Sequence, residues 1–193
     1  MPTDLLVVGL GNPGDEYRHT RHNVGADAVE ILAARHGARL RVDKAVRASI
    51  DTITIAGKRV LLAVPTTYMN DSGLAVSALV RRCDVAPEQV VVVHDELDLP
   101  PTALKLKAGG GLAGNNGLRS IKAHCHTDEF LRVRIGIGKP SSKEQGAKHV
   151  LSRMGKQARA EMDVTLELAA DAVEAIATHG IDAAMNTYNT RPA

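Results

Sequence analysis

Residues 5–23, LLVVGLGNPGDEYRHTRHN, decide the fold of this chain. The stretch starts as an apolar run, breaks at a loop of Gly, Asn and Pro, and resumes as a polar segment in which His22 stands beside Asn23. A short, β-branched apolar run is typical of a buried strand, and an Asn-Pro-Gly sequence is typical of a turn that ends it. The stretch therefore predicts a buried strand followed by a loop that positions His22.

The same stretch also matches a nucleotide-binding pattern, because Gly9, Gly11 and Gly14 have the GxGxxG spacing. A dinucleotide-binding loop needs its helix to begin at the glycines, so that the helix N-terminus meets the pyrophosphate. Here Pro13 precedes the third glycine, and the carboxylates at positions 15 and 16 would compete with a phosphate. No second strand ends in an acidic residue at the spacing of about twenty that such folds use. These features disfavour a nucleotide-dependent enzyme, which stays as one alternative.

Length and composition fit one globular domain that spans residues 1–193. No segment approaches the roughly 18 apolar residues of a membrane span, and the N-terminus lacks the layout of a signal peptide, so we expect a soluble, cytoplasmic protein. Cys83 and Cys125 form no CxxC pattern, which disfavours a disulfide or a cysteine-based metal site.

The formal net charge of +2 is unevenly distributed along the chain. Residues 101–160 contain twelve Lys or Arg and three Asp or Glu, which gives this part +9 and leaves −7 for the remainder. Such polarity indicates an anionic partner, such as a nucleic-acid backbone, although a solvated face balanced elsewhere is the alternative. With three Tyr, one Phe and no Trp, a base-stacking platform of the single-strand-binding type is not expected.

The hydrophobic pattern predicts the order β-α-β-β-α-β-β-α-β-α. In the second helix, at 69–83, we expect Leu74, Ala78 and Leu79 to form the buried face. The other predicted elements are a strand at 5–10, a helix at 20–35, a hairpin of 46–55 and 58–64, strands at 90–93, 103–107 and 130–137, a helix ending near 124 and a helix at 156–179.

This order predicts an α/β fold: a single-domain, three-layer sandwich with a twisted, mixed, mostly parallel central sheet flanked by helices. Ligands bind such sheets beyond the carboxyl ends of the strands. The loops at 11–23, 66–70 and 94–99 are therefore expected to converge.

His22 and Asp95 are the candidate acid–base pair. Asp95 closely follows the four-valine strand at 90–93, and a carboxylate at the carboxyl end of a strand can fix the tautomer of an imidazole. A structural histidine is the alternative for His22. Neither Thr66 nor Ser72 lies in a nucleophile-elbow setting, so the pattern favours direct attack by water over an acyl-enzyme.

Three asparagines follow predicted strands and can contact a substrate: Asn12, Asn70 and Asn116. A carboxamide both donates and accepts hydrogen bonds, so it can hold a substrate carbonyl and a water together. Ordinary turn asparagines are the alternative for each of them.

Metal binding is a further possibility that the pattern disfavours. The histidine, aspartate and glutamate at 94–96 are consecutive on a strand, so their side chains point to opposite faces. His124 and His126 have no matching partner spacing. We therefore expect no metal.

A phosphate site is predicted in the basic half of the chain. Lys105 and Lys107 share one face of the strand at 103–107, and a Gly-rich loop at 109–114 leads to a helix start at Asn116. Lysines, loop N–H groups and a helix N-terminus together suit a phosphate. A solvated strand edge is the alternative.

Six motifs occur together and in one order that resembles the bacterial-type peptidyl-tRNA hydrolases, over about residues 4–154. They are GLGNPG at 9–14 followed by Tyr17, TRHN at 20–23, TYMNxSG at 67–73, HDELDLP at 94–100, NGLRS at 116–120 and RIGIG at 134–138. The resemblance implies a monomeric esterase, without metal or cofactor, that cleaves the ester between a peptide and the tRNA 3′ end. Such an enzyme recycles tRNA released prematurely from ribosomes. A non-catalytic RNA-binding protein of the same fold is the alternative.

The resemblance also implies roles for individual residues. His22 is the base that activates water, and Asp95 orients it. The residues implied to bind the substrate are Asn12, Tyr17, Tyr68, Met69, Asn70 and Asn116. The residues implied to bind tRNA phosphates are Lys105, Lys107 and Arg134.

Two departures from the family pattern bear on function. The family usually reads GGHNG where this chain has AGNNG at 113–117, so Asn115 replaces a histidine. Asparagine keeps hydrogen bonding but does not titrate near neutral pH. Val64 stands where a lysine is common, which could reduce phosphate contacts. Because His22, Asp95 and Asn116 are intact, we expect activity.

Overall fold

A seven-stranded sheet forms the centre of the protein, whose computed structural model describes residues 2–190. The strands are β1 Leu5–Gly9, β2 Arg41–Asp43, β3 Ala48–Ile55, β4 Lys58–Pro65, β5 Val90–Glu96, β6 Leu104–Ala108 and β7 Leu131–Gly136. The helices are α1 Val24–Arg35, α2 Ser72–Cys83, α3 Asn116–Cys125, α4 Gly146–Val150, α5 Lys156–His179 and α6 Ile181–Tyr188.

The sheet has the order β2-β3-β4-β1-β5-β7-β6. Its four central strands, β4, β1, β5 and β7, run parallel, whereas β2, β3 and β6 pair antiparallel with their neighbours. The central strands read as nearly continuous apolar runs because helices cover both faces. This arrangement confirms the predicted mixed, mostly parallel sheet.

Two apolar cores lie on opposite faces of the sheet and complete the three layers. One core packs α1, α5 and α6 against the odd-numbered valines of β5, such as Val91 and Val93. The other packs α2 and α3 against the even-numbered ones, such as Val90 and Val92. Within residues 2–190, no helix combines the length and apolarity needed to cross a membrane.

Several predicted elements differ in detail. The helices predicted from residues 20 and 69 each begin with a 3₁₀ turn, at Arg21–Asn23 and Met69–Asp71. β2, α4 and α6, of three, five and eight residues, were not predicted, because each is short.

The predicted buried face of α2 was wrong for Leu74, which is only partly buried and belongs to neither core, whereas the partly buried Ala78 packs against the core. Ala75 and Val76 are buried instead, together with Leu79. The reason is that α2 packs against α3 as well as against the sheet, which rotates its buried face. At this contact, the N–H of Gly73 donates to Ser120 Oγ at 2.8 Å.

Helix α1 lies unusually close to the sheet. A Cβ on Gly25 would collide with the carbonyl oxygen of Val93, and a Cβ on Gly9 would collide with the carbonyl oxygen of Gly25. The close approach is fixed by hydrogen bonds from Ala26 N to Leu10 O and from Leu10 N to Val93 O, both 3.0 Å. It brings the turn before α1 to the carboxyl end of β5.

Substitution of this contact glycine should destabilise the fold. Because the carbonyl of Val93 belongs to the buried sheet and cannot move away cheaply, Gly25→Ala is expected to cost about 1–3 kcal/mol or more. For a chain of this size that corresponds to a fall in Tm of about 2–4 °C per kcal/mol, measured by thermal unfolding. Gly111→Ala is the control, because a Cβ there meets nothing within 4 Å. A Gly25→Ala protein as stable as the control would contradict the packing argument.

Candidate active site

His22 and Asp95 form a buried, hydrogen-bonded pair at the carboxyl edge of the sheet. His22 Nδ1 lies 2.7 Å from Asp95 Oδ2, and the two residues are 9% and 3% exposed. A carboxylate can only accept, so Nδ1 carries the proton of this bond. In the neutral imidazole, Nε2 is then left with a lone pair, which is the arrangement of a general base.

The turn that carries His22 is held from both sides. Thr20 Oγ1 donates to Tyr17 O at 2.8 Å, which closes the turn toward the loop after β1. Arg21 donates to Ser152 Oγ at 2.6 Å and to Arg153 O at 3.1 Å. These bonds fix the imidazole through its backbone, independently of Asp95.

A cavity of about 240 Å³ opens onto the pair. Its walls come from the end of β5, the loop that enters α3 and the short helix α4. The lining residues besides His22 and Asp95 are Glu96, Leu97, Ala113, Gly114, Asn115, Asn116, Gly146, Ala147 and Val150. The cavity is therefore bounded by polar groups on the α3 side and by apolar groups on the α4 side.

Asn12 is tied to both neighbouring loops. Its backbone N–H and C=O bond the side chain of Asn23, at 2.9 Å each. Its Oδ1 accepts the N–H of Met69 at 2.7 Å, so its Nδ2 amide faces away from that bond. Together with the His22–Asp95 pair, this bond confirms that the three predicted loops converge. Sequence reasoning did not assign a role to Asn23, although it lies beside His22 in the TRHN motif.

The other predicted substrate residues lie around the Met69–Asp71 turn. Tyr17 and Tyr68 make an edge-to-face contact with ring centroids 6.3 Å apart, and Tyr68 is 58% exposed. Asn70 is exposed, whereas Met69 is buried and packs near Gly117 beneath the turn.

At the start of α3, Asn116 is exposed and lines the cavity. Asn115, the residue before it, caps the helix by accepting the N–H of Leu118, and its amide also reaches Asp95. The sequence predicted only that Asn115 retains hydrogen bonding.

The predicted phosphate-binding cations gather on one face of β6 and β7. Lys105 pairs with Arg134 across the strands, and Lys107 pairs with Arg132. Lys105 Nζ donates to Asn189 O at 2.7 Å, and Arg134 Nε lies 3.0 Å from Glu96 Oε1.

Arg132 was not predicted as a site residue, and the structure buries it to 1% exposure. Its guanidinium donates to the carbonyl oxygens of Gly110, Gly111 and Asp128 and lies 4.5 Å from the centroid of the Phe130 ring. It therefore holds the Gly-rich loop in place beside the face that carries Lys105 and Lys107.

The glycines of the GxGxxG pattern do not precede a helix directly. The turn Asp15–Tyr17 follows Gly14, and α1 begins only at Val24. No helix N-terminus is thus presented at the glycines, which agrees with the sequence argument against a nucleotide loop.

A second cavity, of about 350 Å³, lies on the far side of the loop after β1. Its lining includes Asp27 and Glu30, and burial raises the pKa of both carboxyl groups. Asn12 also lines this cavity, whereas His22 and Asp95 line only the smaller one, which is therefore the candidate site.

His94 points away from the pair and is 1% exposed. Its Nδ1 lies 2.7 Å from Asp95 O, and burial lowers the pKa of the imidazole because the cation loses its hydration. Across residues 2–190, no three His, Cys, Asp or Glu side chains group so that they could hold a metal.

Comparison with known proteins matches this chain to one family. The family model described as peptidyl-tRNA hydrolase matches residues 6–193. A peptidyl-tRNA hydrolase from Mycolicibacterium vanbaalenii is 47% identical over 189 residues, covering 98% of each protein. One from Nocardia farcinica is 50% identical over 181 residues, covering 94% of each. The crystal structure of peptidyl-tRNA hydrolase from Acinetobacter baumannii matches with a TM-score of 0.92 and 40% identity, over 98% of this chain and 97% of that one.

The buried His94 predicts a pH dependence of stability. Its pKa is lower in the folded protein than in the unfolded chain, so below about pH 6.5 the unfolded chain binds a proton that the folded protein excludes. His94 should therefore lower the free energy of unfolding by up to about 1.4 kcal/mol for each pH unit below that value. His94→Asn, whose amide can replace the Nδ1–H donor, should show a smaller fall in Tm between pH 7.5 and pH 5.5. Equal falls for both proteins would contradict this role.

Proposed function

This chain belongs to the peptidyl-tRNA hydrolase family, and we propose that it hydrolyses the ester bond between tRNA and a peptide, or an N-blocked amino acid, in peptidyl-tRNA. The reaction recycles tRNA released prematurely from ribosomes, and the family resemblance implies that the enzyme acts in the cytoplasm as a monomer. The single observation that carries the mechanism is the 2.7 Å contact between His22 Nδ1 and Asp95 Oδ2.

His22 acts as the general base. Its Nε2 takes a proton from water, and the water oxygen attacks the ester carbonyl carbon. The resulting imidazolium is stabilised by the carboxylate of Asp95, which is hydrogen-bonded to Nδ1. When the tetrahedral intermediate collapses, the ester C–O bond breaks, and the imidazolium returns its proton to the ribose oxygen of tRNA.

Asparagine amides stabilise the oxyanion and position the peptide. The orientation of Asn12 supports this role, because its Oδ1 is used by Met69 N, which leaves the Nδ2 donor for the substrate. Asn116 lines the cavity beside His22 and supplies a second amide. Asn70 and the Tyr17–Tyr68 pair line the path of the peptide, and Met69 supports the turn from which they project.

The tRNA backbone binds the basic face of β6 and β7 through Lys105, Lys107 and Arg134. Arg134 lies on the same face of the sheet as His94 and Glu96, and its Nε is 3.0 Å from Glu96 Oε1. Because Glu96 also lines the cavity beside His22, phosphates bound at Arg134 are close to the reacting ester. Of the described residues, no carboxylate pairs with either lysine. Their charge is therefore available to phosphate.

Two alternatives make different predictions. A non-catalytic RNA-binding protein of the same fold would use the basic face but would have no need for a buried His–Asp pair beside a cavity. A nucleotide-dependent enzyme would need a helix start at the glycines, and α1 starts at Val24.

His22→Ala tests the base directly. Because positioned acid–base catalysis contributes about 10²–10⁴-fold, we expect the release of N-acetyl amino acid from N-acetyl-aminoacyl-tRNA to fall by that factor, with an unchanged circular-dichroism spectrum. His179→Ala, at the exposed end of α5, is the matched control. The assay is run with EDTA, so that loss of wild-type activity there would reveal a required metal. A His22→Ala enzyme with near wild-type turnover would refute the assignment of the base.

Lys107→Ala tests the tRNA face. Lys107 is the better position to substitute, because the ammonium of Lys105 also donates a hydrogen bond to Asn189 O. We expect weaker tRNA binding and a slope of log K against log salt that is smaller by about 1, with hydrolysis of an N-acetyl-aminoacyl ester of adenosine unchanged. Lys58→Ala, an exposed lysine at the start of β4, which three strands separate from β6, should leave both unchanged. Equal losses on the two substrates would argue against a phosphate contact.

A further inference from the structure

We propose that Asn115 is a positioning residue. Its amide fixes the orientation of the Asp95 carboxylate, and through it that of His22, relative to the start of α3. This inference rests on the proposed function of the His22–Asp95 pair. It concerns the position at which this chain departs from the histidine of the family pattern.

The orientation of the Asn115 amide follows from its neighbours. Its Oδ1 lies 3.1 Å from the backbone nitrogen of Leu118, and a backbone N–H can only donate. The oxygen must therefore face Leu118, which settles the choice between the two amide orientations. The Nδ2 group then faces Asp95, at 3.2 Å from its carbonyl oxygen and 3.3 Å from Oδ1.

Each oxygen of the Asp95 carboxylate thus has its own partner. Oδ1 accepts from Asn115 Nδ2, and Oδ2 accepts from His22 Nδ1. Since Asp95 is 3% exposed, rotating the carboxylate would leave a buried acceptor without its donor, which is costly where water cannot replace it. The amide of Asn115 is uncharged at all working pH values, so this hold does not depend on pH.

Asn115 is itself firmly placed. Its backbone N–H donates to Leu112 O, and its carbonyl accepts the N–H of Arg119, both at 3.0 Å. Helix α3 is in turn bonded to α2 through Gly73 N and Ser120 Oγ. Helix α3 therefore constrains the position of Asp95 through the side chain of Asn115.

The adjacent residues Asn115 and Asn116 link the base to the substrate-binding site. Asn116 lines the cavity and is proposed to bind the substrate, while Asn115 fixes the partner of the base. The substrate-binding amide and the base are thereby held at a set separation, which attack by water on an ester requires.

Capping and positioning are separable by substitution. Ser at position 115 keeps a good N-cap, but its hydroxyl is too short to reach Asp95 as well. Asp keeps the cap and the shape of the side chain but replaces the donor to Asp95 by a second carboxylate. Ala removes both functions.

The experiment compares Asn115→Ser, Asn115→Ala and the wild type in turnover of N-acetyl-aminoacyl-tRNA and in thermal unfolding. We expect kcat to fall about 10-fold or more in both variants, with KM within about twofold, because transition-state positioning is lost. Only Asn115→Ala should lose a cap, with a Tm lower by about 2–4 °C. Asn115→Asp should be the least active of the set, because like charges repel. Asn186→Ser, on the exposed face of α6, is the matched control.

A purely capping role gives a different order. In that case Asn115→Ser and Asn115→Asp would keep wild-type kcat, only Asn115→Ala would be impaired, and the proposal would be overturned. An inactive wild type would instead refute the proposed function, so the two failures are distinguishable. In ¹⁵N NMR, the proposal also predicts that the His22 Nδ1–H resonance moves in Asn115→Ser, and an unmoved resonance would count against it.

Discussion

The site depends on the close approach of α1 to the ends of β1 and β5. Gly9 and Gly25 have no side chains to separate the helix from the sheet. The N–H of Ala26 donates to Leu10 O, which joins α1 to the end of β1, and the N–H of Leu10 donates to Val93 O, which joins that end to β5. The turn before α1 is consequently held against the end of β5. A histidine on that turn and a carboxylate on that strand then meet at hydrogen-bond distance, without a long side chain to bridge them.

Asparagine carboxamides perform a common task around this contact. In Asn12, Asn23 and Asn115 the amide oxygen accepts a backbone N–H from another turn or from a helix start. Each such bond fixes the orientation of the side-chain amide, so that its NH₂ group faces one particular acceptor. For Asn23 the acceptor is the Asn12 carbonyl, for Asn115 it is Asp95, and for Asn12 it is the proposed substrate. The proposed role of Asn12 uses such a neutral donor to stabilise developing negative charge, and the protonation of an amide stays constant as the pH changes.

The sequence predicted those features that depend on local pattern. The continuous apolar runs located β1 and β5, because strands buried on both faces are recognisable one at a time. The hairpin of β3 and β4 was located as two adjacent strand-like runs, although β3 is buried at only three of its eight positions. His22 and Asp95 were found because each follows such a run. The short β2 escaped prediction, since its three residues, two of them exposed, are a strand only through pairing with β3. The buried face of α2 was misassigned at Leu74 because the packing of α3 is not visible in the sequence. Asn23 and Arg132 were missed for a related reason: their contacts are with backbone atoms of other segments. For Asn115 the sequence predicted hydrogen bonding but not its partner, Asp95.

The central claim is that a carboxylate-supported imidazole activates water for ester hydrolysis, and Asp95→Asn tests it most directly. The substitution preserves the shape of the side chain but removes the charge that stabilises the imidazolium. The measurement is the single-turnover rate of N-acetyl amino acid release from N-acetyl-aminoacyl-tRNA, beside the Tm of the same protein. The account predicts a rate lower by about 10²-fold or more in a protein that remains folded. A folded Asp95→Asn enzyme with the wild-type rate would contradict it.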